Sequence, residues 1–246
     1  MRAFWRGGYG LSRVKLEAPV MTPEGLAERV LYRDGLMLVI DKPAGLPVHR
    51  GPKGGPHLAE LLDGLRFGLP QRPELAHRLD KDTSGCLVLG RHRKALRRLG
   101  RLFAAGLVDK VYWAVVEGAP PAAEGRIELA LARRSDDPRS WWMKVDPAGQ
   151  PAVTAYRALG SAAGLTWLEL IPLTGRTHQL RVHLAAVGCP ILGDAVYGAG
   201  PPRAPLHLHA RSVALPLYPR RDLVAVSAPA PAHMQDALRA CGASAL

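Results

Sequence analysis

Two hydrophobic periodicities alternate along this chain, and together they predict its elements. Residues 36–40 form a continuous apolar run stopped by Asp41-Lys42-Pro43-Ala44-Gly45, the pattern of a buried strand entering a loop. Cys86-Leu87-Val88-Leu89 is short and wholly apolar, as a central strand would be. Over residues 109–117, Val111, Trp113 and Val115 alternate with Lys110, Tyr112 and Ala114, the period of a strand with two distinct faces. Ile127, Leu129 and Leu131 repeat that alternation in a next strand. A charged, Trp-containing stretch over 133–150 breaks the pattern before residues 152–159 and 165–171 resume it as two more strands. Connections this short cannot hold crossover helices, so antiparallel pairing is expected there. Two late strands, 206–215 and 223–226, follow the punctuation at Gly200-Pro201-Pro202.

Helical spacing accounts for most of the remainder. Thr22-Pro23-Glu24 offers a capping hydroxyl and a proline at the first helical position, predicting a short helix through Val30. Leu58, Leu61, Leu62 and Leu65 recur at helical spacing after Pro56, a stripe that should face the core. Residues 92–105 set Ala95, Leu96, Leu99, Leu102 and Phe103 on one face and Arg93, Lys94, Arg97, Arg98 and Arg101 on the other, with Gly106 as terminator. After Leu173-Thr174-Gly175, Thr177 is the expected N-cap of a helix with Leu180, Leu184 and Val187 as its core stripe and Gly188 with Pro190 as its stop. Arg181 lies about 100° round from Leu180, off the stripe and able to reach a partner at the edge of the core. A short amphipathic helix is expected from Ala232 onward.

The 246 residues suffice for one large α/β or α+β domain, or for two small ones. Charge narrows the partner. Lys and Arg outnumber Asp and Glu by 33 to 21, giving a formal charge of +12, which points to a phosphate-rich partner or an anionic membrane. No apolar run reaches the roughly 18 residues of a spanning helix, and the first twenty residues scatter arginines without a signal-peptide core, so a cytoplasmic protein is expected. The three cysteines, Cys86, Cys189 and Cys241, have no close pairing and fit neither a disulfide framework nor a metal knuckle. His207 and His209, and His178 and His183, lack a joining cysteine or carboxylate cluster, and no metal site is expected.

In His77-Arg78-Leu79-Asp80-Lys81-Asp82-Thr83-Ser84-Gly85 a carboxylate stands among basic residues between apolar segments, as chemistry on a polyanion would require. Gly175-Arg176-Thr177-His178-Gln179-Leu180-Arg181-Val182-His183-Leu184 supplies a fixed cation near a helix start. An opposite charge within about 4 to 6 Å favours the charged form of a carboxylate. Blander readings stand beside these. Asp80 could cap the turn at Thr83-Ser84-Gly85, Arg181 could be a surface helix arginine, Tyr112 a core tyrosine on a strand, and the 91–101 cations a solvated helix face.

These segments, with Lys110-x-Tyr112 between them, resemble the signature of RluA-type pseudouridine synthases. The resemblance runs from about residue 31 to 229 and takes in Asp41-Lys42-Pro43-Ala44-Gly45-Leu46 and Gly193-Asp194-x-x-Tyr197-Gly198. It implies an α+β fold with a mixed, largely antiparallel sheet flanked by helices and a central RNA-binding cleft. Uridine would be isomerised to pseudouridine within RNA, with no cofactor or metal. Asp80 would be the catalytic aspartate, Arg181 its paired cation, and Tyr112 the ring against the target base. Arg78 would fill the gap left by a flipped nucleotide, and Leu208 would pack on the uracil. Arg93, Lys94, Arg97, Arg98 and Arg101 are a candidate phosphate track, and Lys53, Arg134 and Arg139 are further loop cations.

The expected organisation is a basic arm over 1–20, a catalytic domain over 21–230, and a short helix and tail over 231–246, acting as a monomer. About twenty residues before the catalytic region are too few for the S4-like RNA-binding module of many relatives, so recognition is expected within the catalytic domain, aided by Arg2, Arg6 and Arg13. Relatives lacking that module act on ribosomal or transfer RNA, which are the expected substrates. Two rivals remain: a noncatalytic RNA-binding or ribosome-assembly protein of the same fold, and a glycoside hydrolase using Asp80 and Asp82 pointing the same way.

Overall fold

The computed structural model describes residues 21–51, 54–137, 141–244 and 246. The arm over 1–20, with Arg2, Arg6 and Arg13, and the loop cations Lys53 and Arg139 lie outside the described residues.

Helix α1 (Pro23–Ala27) starts as its sequence requires, with the Thr22 hydroxyl accepting the Gly25 N–H at 3.1 Å. It stops short of Val30, because the Val-Leu-Tyr run that follows is strand β1 (Val30–Arg33), paired with β2 (Met37–Lys42). The 58–65 leucine stripe divides into α2 (Leu58–Leu61) and a 3-10 turn over Leu62–Leu65, and buries Leu58, Leu62 and Leu65. Gly64 lies against α1, where a Cβ would come 2.7 Å from the Pro23 side chain. Then follow β3 (Glu74–Leu75), β4 (Ser84–Gly90), α3 (Arg93–Ala104) and β5 (Asp109–Glu117).

The single strand expected across Ile127, Leu129 and Leu131 is two: β6 (Glu124–Glu128) stays in the main sheet, and β7 (Leu131–Arg133) leaves it. The charged stretch after it carries β8 (Met143–Val145), which closes a separate two-stranded hairpin with β7. Strands β9 (Val153–Ala162) and β10 (Leu165–Pro172) pair antiparallel as expected, and α4 (Gln179–Ala186), β11 (Leu208–Leu215), β12 (Val224–Ser227) and α5 (Ala232–Ala240) complete the chain.

The fold is α+β around a mixed, largely antiparallel sheet. Its order is β1-β2-β4-β11-β5-β10-β9-β6, with β12 also on β11 and β3 also on β4. Every pairing is antiparallel except β4 with β11, which run parallel through His209 opposite Ser84 and Ala210 opposite Gly85. Here Gly85 is obligatory: its φ is +103°, and a Cβ would stand 2.3 Å from the Ala210 carbonyl oxygen. Strands β2 and β4 are covered on both faces, by Leu58, Leu62 and Leu65 on one and by Leu99 and Val108 on the other. Double coverage explains why both read as continuous apolar runs instead of alternating ones. The far half of the sheet, β5 and β10, packs against Leu180 and Leu184 of α4.

The three cysteines are free and buried. Among the described residues no helix is long and apolar enough to cross a membrane.

Buried neutral histidines set the acid limit of this fold. His209 is fully buried between the Ser84 hydroxyl (2.9 Å) and the Ala228 carbonyl (3.3 Å), and burial pushes its pKa down to about 4. His77 accepts the Val88 N–H on Nε2 at 3.0 Å, and burial together with Lys110 pushes it down to about 3. An unfolded histidine binds its proton near pH 6.5, so between that value and about 4 the unfolded chain holds protons that the folded chain refuses. Stability should therefore fall as pH drops below about 6.5, by about 1.4 kcal/mol per pH unit for each of the two. Urea unfolding midpoints between pH 7.5 and 4.5 measure this, and a midpoint constant over that range would contradict it.

Candidate active site

A cleft of about 570 Å³ opens over the sheet, and the loop between β3 and β4, strand β5, the start of β11 and helix α4 converge on it. Arg78, Asp80, Tyr112, Arg181 and Leu208, residues from four separate parts of the sequence, all line it.

The Asp80 loop is pinned from behind. Lys42, fully buried at the end of β2, donates to the carbonyls of Pro43 (2.8 Å), Leu46 (2.9 Å) and Lys81 (2.9 Å), and the Gly45 N–H also reaches the Lys81 carbonyl at 3.0 Å. Three carbonyls match the three donors of an ammonium group. Burial pulls the Lys42 pKa down to about 7, against the opposing pull of Asp82, Asp80 and Asp41. The turn itself is closed by backbone, with the Thr83 N–H on the Asp80 carbonyl at 3.2 Å. The Asp80 carboxylate faces α4 instead, with Oδ2 3.9 Å from Arg181 Nη1 and 3.9 Å from His178 Nε2.

Helix α4 departs from its expected form in two ways. Its N-cap is His178, held in the left-handed region at φ 53°, and not Thr177. No side chain caps it; Gln179 instead ties down the preceding loop, its Oε1 accepting the Thr174 hydroxyl (2.7 Å) and the Arg176 N–H (3.0 Å) while its amide donates to Val153 and Thr154. Nor does Arg181 sit at the edge of the core: it is 5% exposed. Its Nε and Nη2 form a fork on Asp194 at 2.7 and 2.8 Å, so Asp194 is its closest partner and Asp80 meets only the remaining Nη1.

Burial works against both charges of that fork, and their mutual bonding more than offsets it. The Arg181 pKa is raised, and the Asp194 carboxyl is held below the usual carboxylate range with help from the Val196 and Tyr197 N–H groups. Tyr197 extends the network: its hydroxyl accepts the Met143 N–H at 2.9 Å and lies 2.8 Å from His178 Nδ1. Burial lowers the His178 pKa, Asp80 opposes the shift, and Arg181 adds to it.

Tyr112 enters the cleft from β5, flanked by Leu170 of β10 and Ala210 of β11. Burial, with Asp80 and Cys86 adding to it, pushes its phenol well above the usual tyrosine range, so the group is a neutral donor. Leu208 is 3% exposed and packs with Leu180 and Leu184. Arg78 is exposed at the rim.

Other expected residues fall elsewhere. Arg93, Lys94, Arg97, Arg98 and Arg101 do not line the cleft; α3 reaches it only at Phe103 and Ala104, and its cations face outward. Asp82 lines a separate cavity, of about 520 Å³, that Asp80 does not touch. The two residues therefore line different cavities, whereas a glycoside hydrolase would need both carboxylates in one. Among the described residues no group of three or more His, Cys, Asp or Glu side chains could hold a metal ion. Asp194, Tyr197 and Lys42 were present in the quoted motifs, and the Asp-x-x-Tyr spacing was the available signal for a carboxylate capping its own following turn.

Comparison with known proteins fits this geometry. The RNA pseudouridylate synthase family profile matches residues 36–186. A protein of Zymomonas mobilis described as an uncharacterized RNA pseudouridine synthase is 42% identical over 214 residues, covering 86% of this chain and 97% of the relative. A mitochondrial pseudouridylate synthase of Xenopus tropicalis is 34% identical over 260 residues, covering 87% of this chain and 80% of its own. The solved structure of human RNA pseudouridylate synthase domain containing 4 superposes with a TM-score of 0.76 at 30% identity, over 89% of this chain and 95% of that one. A cleft built this way, in a chain matched along most of its length, makes this protein a member of the RNA pseudouridylate synthase family, RluA type, and so an isomerase that acts on RNA.

Proposed function

We propose that this enzyme isomerises particular uridines of ribosomal or transfer RNA, with Asp80 as its catalytic carboxylate. The observation that carries the reading is the placement of Asp80 in the cleft, 3.9 Å from a guanidinium that is itself immobilised by a second carboxylate. The reaction breaks the bond between uracil N1 and ribose C1′ and forms one from C5 to C1′. A proton leaves C5 and another arrives at N1, so substrate and product are isomers and the balance closes without a second reactant.

Each residue has a part. A uridine in folded RNA must leave its stack first, at a cost of about a few kcal/mol. Arg78, exposed at the rim, takes the place it leaves, because a guanidinium can stack on bases and bond phosphate together. The extruded uracil lies between the Tyr112 ring and Leu208, and the neutral Tyr112 hydroxyl is available to give a proton or a hydrogen bond. Asp80 acts as nucleophile or base at the detached centre. Arg181 supplies its counter-charge where the bound nucleotide has displaced water.

RNA carrying tritium at uridine C5 reads the reaction directly. Asp80→Asn should lower tritium release by at least about 1,000-fold while RNA affinity stays within about threefold, because the carboxylate acts in the transition state. Near-normal release from the folded variant would remove Asp80 from the chemistry and favour a binding role. The substrate is tested in cells: pseudouridine mapping with and without the gene should show sites missing from ribosomal or transfer RNA. An unchanged map of both would overturn that assignment.

A further inference from the structure

Two tryptophans stand exposed side by side on the β7–β8 hairpin, Trp141 at 44% and Trp142 at 49%. At that exposure each indole leaves uncovered about half of the 150–250 Å² that such a side chain can bury, so the pair calls for a partner. They do not share a face. Arg133 pairs with Met143, and the ladder continues with the Arg134 N–H on the Trp142 carbonyl at 2.7 Å, so alternation sends Trp141 to the Met143 side and Trp142 to the Lys144 side.

The Met143 side is the active-site side. Met143 packs with Val182 of α4 and with Tyr197, and its N–H holds the Tyr197 hydroxyl that positions His178. Trp141 accordingly meets the cleft rim: the Arg78 guanidinium stands 5.5 Å from its ring centre, and that of Arg133 stands 5.8 Å away. Both contacts are near the outer limit of about 6 Å for a cation over an aromatic ring, so a better stacking partner displaces them at little cost. Trp142 has Arg134 at 5.8 Å instead, on the face away from the cleft.

We propose that Trp141 is a stacking platform for an unpaired nucleotide next to the target uridine, and that this chain therefore selects targets in single-stranded loops over targets inside duplexes. The inference rests on the proposed isomerase reading and extends it to a substrate class. An aromatic face rimmed by cations, one of which, Arg78, also lines the cleft, suits a base attached to a phosphate backbone. Stacking needs the base out of its pair, because in a duplex both faces are already covered. When a base takes the indole, Arg78 is released toward the gap left by the uridine.

The test uses a fluorescein-labelled nine-residue RNA with a central uridine flanked by G and C and the same strand annealed to its complement, titrated by anisotropy into the full chain. All variants carry Asp80→Asn, so that turnover plays no part in the readout. Trp141→Leu should weaken single-strand binding about tenfold, Trp141→Phe should restore it to within about threefold, and duplex binding should be unaffected by either. Trp142→Leu, a change of the same size on the other face, should stay within about twofold. The slope of affinity against salt should be the same for Trp141→Leu as for the parent, since no phosphate contact is lost. Unchanged single-strand affinity in Trp141→Leu, or equal losses from Trp141→Leu and Trp142→Leu, would overturn the platform. Either result would leave the isomerase reading intact, since that stands or falls on tritium release.

Discussion

The site depends on one buried guanidinium that serves two carboxylates. Arg181 is almost fully enclosed, and a charge in that position is tolerated only if it is paired and its donors are satisfied. Asp194 meets this need through a two-point fork that fixes the plane of the guanidinium. What remains is Nη1, aimed at Asp80 across 3.9 Å. An arginine bonded by Asp80 alone could swing with it. Tied to Asp194, it presents a fixed positive edge, and the carboxylate opposite keeps its own oxygens free of close bonds.

The surroundings serve this arrangement. Lys42 anchors the loop behind Asp80 through the Lys81 carbonyl, and Gly85 lets β4 approach β11 closely enough for the parallel pairing that follows the loop. From the other side, Tyr197 links the Asp194 turn to His178 and to the β7–β8 hairpin. The Asp194 turn, the helix and the hairpin that carries Trp141 are thus joined by hydrogen bonds through one small cluster, which the Asp80 carboxylate faces across 3.9 Å. The proposed RNA platform at the hairpin and the proposed chemistry at Asp80 would share that cluster.

Much of this was legible in the sequence, for identifiable reasons. Double-sided burial wrote β2 and β4 as apolar runs, two-sided strands wrote β5, β9 and β10 as alternation, and the split face of α3 wrote its helix. The convergence of Asp80, Tyr112 and Arg181 on one cleft was legible because motif spacing carries them. Helix α4 misled because it is buried almost all round. Gln179, Arg181 and His183 have partners inside the protein, so polarity there did not mean exposure. The fork with Asp194 is a contact between groups thirteen residues apart, across a loop whose path no periodicity describes. The division of β6 from β7 was hidden because alternation continues through a change of sheet. Membership of the RNA pseudouridylate synthase family agrees with the motif reading, while the roles of the individual residues rest on the geometry and its chemistry.

The central claim is that Asp194, which lines no part of the cleft, governs the chemistry by fixing Arg181. Single-turnover tritium release by Asp194→Asn, measured on protein shown to be folded and with RNA affinity determined in parallel, tests it most directly. The account predicts a rate at least about 100-fold below the parent enzyme, with RNA affinity within about threefold, because the lost interaction positions the charge that faces Asp80. A folded Asp194→Asn protein that turns over at the parent rate would contradict it.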